Sequence, residues 1–163
     1  MIYHTRHDIY HCCFRLISII SLAEVNKIEV DKIRIIDFYL VFPIYSQDIA
    51  FPRGQGVSKK LLKSIEKPFE YLPNKKILFS ELKEFQTQAL QILMAKDIIN
   101  INDSFVEKGL RFEDVSSRIL EDNRFKYDEL YTELIKKLMR INLTGDKGLK
   151  QRTNLLEYRY DAV

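Results

Sequence analysis

Two apolar stretches stand almost end to end near the start of the chain. They restrict the fold more than any other feature. Residues 8–24 carry Ile9, Cys12, Cys13, Leu16, Ile17, Ile19, Ile20 and Ala23. On a helix these side chains spread over more than one face, so both sides need cover. Residues 29–42 carry Val30, Ile33, Ile35, Ile36, Phe38, Tyr39, Leu40, Val41 and Phe42. Their β-branched content favours a strand, but a run of about three turns or more favours a helix. Asp31 near the first turn and Pro43 just past the end support the helix. With a short joint after Asn26, the pair predicts a buried helical hairpin over residues 8–42 as the nucleus of the fold.

The chain has 163 residues, 46% of them hydrophobic and 30% charged, with 5 Gly and 4 Pro. That is enough apolar material for a core, and the length suits a single small domain over 1–163. The composition excludes a collagen, a coiled coil, a disulfide scaffold and a membrane protein. The net charge of +3 is far below that of a dedicated nucleic-acid coat. Cys12 and Cys13 are adjacent, and neighbours on a helix diverge by about 100°, so they suit two buried thiols in a reducing cytoplasm. The run Leu16–Ala23 is too short to span a bilayer, and the His7, Asp8, His11 and Arg15 before it do not suit a signal peptide. The Asn142-Leu143-Thr144 sequon is then a chance match.

Residues 43–57 hold Phe42-Pro43, Phe51-Pro52 and Gly54-Gln55-Gly56, which predict a loop. Ser58 then caps a basic helix over 58–66, and Pro68 and Pro73 break the chain. A short helix is expected over Phe79–Phe85. A longer one over Gln86–Lys96 would bury Phe85, Ala89, Ile92 and Leu93. Two β-like runs, Ile98–Ile101 and Phe105–Phe112, flank the turn sequence Asn102-Asp103-Ser104. Helix, helix, helix and hairpin is the order of a winged helix, so 58–112 is read as a winged-helix-like segment. A short helix follows at 114–122. Residues 125–141 form the most amphipathic helix, with Tyr127, Leu130, Tyr131, Leu134, Ile135, Leu138 and Ile141 in one stripe. The 142–163 tail is polar and basic, with Leu155, Leu156, Tyr158 and Tyr160 as anchors. The expected class is mainly α.

The chemistry-bearing residues are few. His4, His7 and His11 share one face of a continuous helix beside the two cysteines, which raises a metal-dependent enzyme as a weak reading. No further Cys or His cluster completes a zinc set, so ordinary capping or packing is preferred. A cysteine nucleophile would need a paired His, and an apolar helix raises a thiol pKa. Gly54-x-Gly56 and Thr144-Gly145-Asp146-Lys147-Gly148 both lack the spacing that cradles a triphosphate. Glu113-Asp114 and Glu121-Asp122 read as solvated helix ends. No catalytic, cofactor-binding or metal-binding residue is therefore assigned.

Charge is segregated along the chain. Residues 53–76 hold seven basic and two acidic side chains, a local charge of +5. Residues 136–163 hold seven and three, or +4, whereas 79–130 hold seven and eleven, or −4. The basic ends can hold phosphates or simply keep the chain soluble. Arg53, Lys59, Lys60, Lys63 and Lys67 are the candidates for DNA or phosphate contact. As a DNA-reading helix, 86–96 offers only Gln86, Gln88, Gln91 and Lys96, and the wing at 102–109 is net acidic. A winged helix here would suit protein better than base edges.

The run Asp8-Ile9-Tyr10-His11, then Phe14-Arg15-Leu16, then Glu29 through Pro43 with its D-F-Y-L-V-F-P ending, resembles a known family. It is similar to the small middle components of prokaryotic ABC-three-component anti-phage systems, the group that includes Lamassu. The likeness covers residues 8–52 well and 78–112 loosely. It implies a non-catalytic subunit with no cofactor, encoded beside an SMC-like or Rad50-like ABC ATPase and an effector, often a nuclease. The subunit would bridge the two, much as kleisins and their winged-helix partners bind SMC heads, and could touch DNA through the complex. Tyr131 and Lys137 of 125–141, with Tyr158 and Tyr160, are the expected partner contacts. A winged-helix DNA-binding transcriptional regulator is the alternative, testable through Gln88 and Gln91.

Overall fold

The computed structural model describes residues 8–122 and 128–161. The first helix, α1, spans Ile9–Leu22, and Asp8 caps it by accepting from the Tyr10 and His11 amides at 2.8 and 3.2 Å. Cys12, Leu16, Ile17, Ile19 and Ile20 are all buried, as a helix covered on both sides requires. It packs against four other helices of the chain.

A two-residue strand, β1 (Ile28–Glu29), follows and runs straight into helix α2 (Val30–Val41). The sequence offers no sign of β1, because two residues make a strand only through their partner. Helix α2 has no side-chain cap. Instead its first amide, on Val30, donates to the Ser104 carbonyl at 2.9 Å, so a distant hairpin satisfies an otherwise orphaned group. Its end builds an aromatic cluster. The Phe38 ring lies 5.2 Å from Phe42, 5.8 Å from Tyr45 and 5.8 Å from Phe79.

Residues 43–57 are not wholly a loop, since Pro43–Asp48 form a 3₁₀ helix, with Pro43 in its first turn. The basic helix α3 is shorter than expected, Lys59–Lys63, capped by Ser58 and ended at Ser64. The chain between α2 and the next long helix is pinned by side chains. Tyr45 donates to the Pro73 carbonyl at 2.9 Å, and Gln47 donates to the Leu62 carbonyl at 2.9 Å.

The two helices expected over 79–96 are one. Helix α4 spans Lys75–Ala95 without a break, capped by Asn74. Its buried stripe is Leu78, Phe79, Leu82, Gln86, Ala89, Leu90 and Leu93. The polar Gln86 interrupts the apolar pattern and looks like a boundary. It stays inside the stripe because it finds buried partners, described below.

Strands β2 (Ile99–Asn102) and β3 (Phe105–Lys108) form the expected hairpin. Asp103 and Ser104 both take positive φ, 50° and 66°, as a tight two-residue hairpin turn demands. The second strand stops at Lys108, short of Phe112, because Gly109 bends under the end of α4. A Cβ there would meet the Asp97 carbonyl oxygen at 2.4 Å. The sheet is antiparallel in the order β1-β3-β2, with Val106 opposite both Ile28 and Ile101.

Helix α5 (Phe112–Glu121) and helix α6 (Glu129–Met139) complete the core. Tyr127, expected in the α6 stripe, lies outside the described residues. Leu130, Leu134, Ile135 and Leu138 are buried as that stripe predicts. Residues 142–161 carry a short helix, α7 (Leu149–Thr153), and bury Leu143, Leu149, Thr153 and Leu155. The structure is mainly helical with one small sheet.

Candidate functional site

The most polar point of the interior joins three helices. Arg15 on α1 donates through Nε to Asp37 Oδ1 on α2 at 2.5 Å and through Nη2 to Oδ2 at 3.3 Å. Gln86 on α4 donates through Nε2 to the same Asp37 at 2.8 Å and reaches the Arg34 carbonyl at 3.2 Å. Asp37 and Gln86 are fully enclosed, 0% exposed. Burial of a charge is costly unless it is paired and hydrogen-bonded, and here both conditions hold. The sequence reading missed this group. Its signal was a lone Asp inside the run Ile35-Ile36-Asp37-Phe38, opposite a lone Arg inside α1. Gln86 therefore cannot offer itself to a DNA base. Gln88 is half-buried, and Gln91 is exposed.

Both cysteines are buried and unpaired to each other. Burial pushes the Cys13 thiol up to about 11 and holds Cys12 well above its ordinary range. Neither has the depressed pKa of a nucleophile. Among the described residues, no three of His, Cys, Asp and Glu are placed to share a metal ion. His4 and His7 lie outside those residues, so the expected histidine face is not seen. His11 makes an edge contact with Phe14, ring centroids 6.4 Å apart.

The basic candidates separate. Lys59, Lys60 and Lys63 are exposed on α3, while Lys67 lies beyond its end in irregular chain. Arg53 is exposed and lines a different place, a cleft that it shares with Lys147 and Arg152. Two other cations of the basic ends are engaged. Lys75 donates to the Thr153 carbonyl at 2.6 Å, and Lys150 pairs with Asp161 at 3.1 Å.

The four partner candidates also differ. Tyr131 is half-buried against the core, and burial raises its phenol pKa. Lys137 and Tyr158 are half-buried, and Tyr160 is 90% exposed. More conspicuous are Phe69 and Tyr71, which are fully exposed on the connection between α3 and α4. They sit in Lys67-Pro68-Phe69-Glu70-Tyr71-Leu72-Pro73, where two prolines limit the backbone. That bracketed pair was legible in the sequence and was read only as a break.

The mainly helical chain thus ties Arg15 to Asp37 inside and presents aromatic and basic side chains outside. The model of the ABC-three-component system middle component 5 family matches residues 1–161, and the chain belongs to that family. It is thus a middle component, with an accessory role beside the other components of such a system. The match includes the residues past 113 that the sequence resemblance left out. No curated protein and no solved structure matches the chain.

Proposed function

We propose that this chain is a non-catalytic bridging subunit that links an SMC-like ABC ATPase to an effector nuclease in an anti-phage or anti-plasmid complex. The observation that carries the reading is the family match over residues 1–161. The exposed pair Phe69 and Tyr71 supports it. Two bare aromatic side chains on a proline-restricted segment lose little conformational entropy on docking and bury a large apolar area. Tyr160 offers a third such side chain. Co-expression with the neighbouring gene products tests this. The intact chain should co-purify with the ATPase, and a Phe69→Ala/Tyr71→Ala variant should lose at least tenfold in affinity while keeping its thermal midpoint. A stable monomer that ignores both neighbours would overturn the reading.

A second reading, a winged-helix DNA-binding regulator, draws support from connectivity. Helix α1, β1, α2, α4 and the β2–β3 hairpin follow one another, with β3 central in the sheet. The three-helix order expected over 58–112 is not met, since α3 and α4 are the two helices there ahead of the hairpin. We read α1, β1, α2, α4 and the hairpin as winged-helix-like instead, with 43–74 inserted ahead of α4. Base reading is disfavoured, because Gln86 is enclosed and the hairpin tip is tied to α2 through the Val30 amide. A sequence-specific mobility shift that weakens on Gln88→Ala/Gln91→Ala would reverse that preference.

A further inference from the structure

The loop Thr144–Gly148 matches no phosphate-cradling spacing, yet the fold places its lysine at a built cationic cleft. Lys147 holds a left-handed backbone, φ 55°, and its amide donates to Gln151 Oε1 at 2.8 Å. Its carbonyl accepts from Arg152 Nε, and Arg152 Nη1 donates to the Ala50 carbonyl, 102 residues away in sequence. One guanidinium thus staples the loop to the segment before Arg53. Two of its nitrogens are engaged in this way.

The resulting cleft has a volume of about 500 Å³, lined among others by Phe51, Pro52, Arg53, Lys147, Gln151 and Arg152. Three of its described lining residues are cationic and none is acidic. Arg53 and Lys147 are exposed and form no ion pair among the described residues. Some cations elsewhere are matched locally, as in Lys27–Glu107, Lys108–Glu113 and Arg118–Asp114, but among the described residues no carboxylate lines this cleft. Like charges gathered around one cleft repel, and an anionic ligand would remove that repulsion. A ring and a proline beside three cations form the composition of a groove that follows a strand, with phosphates on the cations and a base on the aromatic wall.

We propose that this cleft binds the phosphodiester backbone of a single-stranded nucleic acid, without reading its sequence. The site goes beyond the bridging role and stands whether or not the chain bridges. It joins the two basic ends of the sequence but excludes the α3 lysines.

Fluorescence anisotropy with a labelled single-stranded oligonucleotide and the full chain tests it. Binding at low salt should weaken linearly in log–log form as salt rises. Arg53→Ala/Lys147→Ala should weaken it at least tenfold and reduce the slope by about 1.4, two phosphates at about 0.7 each. Circular dichroism should show that variant folded, since neither side chain supports the core. The charge-preserving Arg53→Lys/Lys147→Arg should retain binding within about threefold, and Lys59→Ala/Lys60→Ala/Lys63→Ala should also leave it within about threefold. An equal loss in the α3 variant would mean diffuse charge and overturn the site. So would tighter binding of duplex, displacement by millimolar inorganic phosphate or adenosine monophosphate, or no binding at low salt.

Discussion

Asp37 joins three helices of the core. It receives three hydrogen bonds from Arg15 and Gln86, and no water reaches it. Such a group adds little net stability over a well-packed apolar replacement, but removing one partner strands the other. Asp37→Ala leaves the Arg15 guanidinium buried without its main counter-charge. Urea unfolding should show a loss of about 3–5 kcal/mol. Gln86→Leu removes a neutral donor only and should cost less, about 1–3 kcal/mol. Equal effects of the two variants would mean that the buried ion pair matters no more than a neutral hydrogen bond.

At the scale of elements, the junction of α4 with the hairpin is closed by backbone against backbone. Asp97 ends the helix in a left-handed conformation, φ 59°. The Ile98 amide reaches back to the Leu93 carbonyl at 3.0 Å, and the Gly109 amide closes on Ile98 at 2.8 Å. Gly109 is required by close approach rather than by its own φ. An added methyl would strike backbone, which cannot rotate away as a side chain can. Gly109→Ala should cost about 1–3 kcal/mol. It should also speed hydrogen exchange at the hairpin amides before those of α1 or α2. Unchanged hairpin protection would show that the junction adapts freely.

For the whole molecule, buried acidic protons make stability sensitive to alkali. Burial raises the pKa of Cys12, Cys13 and Tyr39 in the folded chain. The unfolded chain releases these protons near 9.0 for the thiols and 10.0 for the phenol. The folded chain then binds more protons than the unfolded one, so stability falls as pH rises. The loss starts near pH 9 and, for Cys13, ends near its folded value of about 11. Each group contributes about 1.4 kcal/mol per pH unit within its window. Lys32 and Lys75 act in the opposite sense, because burial lowers their pKa below 10.5. Burial raises Tyr45 and Tyr131 as well, so five acidic groups against two lysines leave a net decline. Unfolding free energies measured at pH 8 and pH 10 should show it, and Cys13→Ala should reduce the difference. A flat profile would mean that the thiols are hydrated.

The sequence by itself determined the helical hairpin, the hairpin turn at Asp103-Ser104 and the α6 stripe. Each rests on local periodicity or turn chemistry, which neighbouring residues settle among themselves. It also exposed the segregated charge, but not its arrangement. Tertiary structure alone decided β1, which exists only through β3, and the unbroken α4, whose polar Gln86 is admitted to the core by Asp37. It alone gathered Arg53, Lys147 and Arg152 around one cleft, which the α3 lysines do not line. The physical reason is common to all three. Each depends on a partner from a distant part of the chain, and no window of neighbouring residues contains both halves of such a contact.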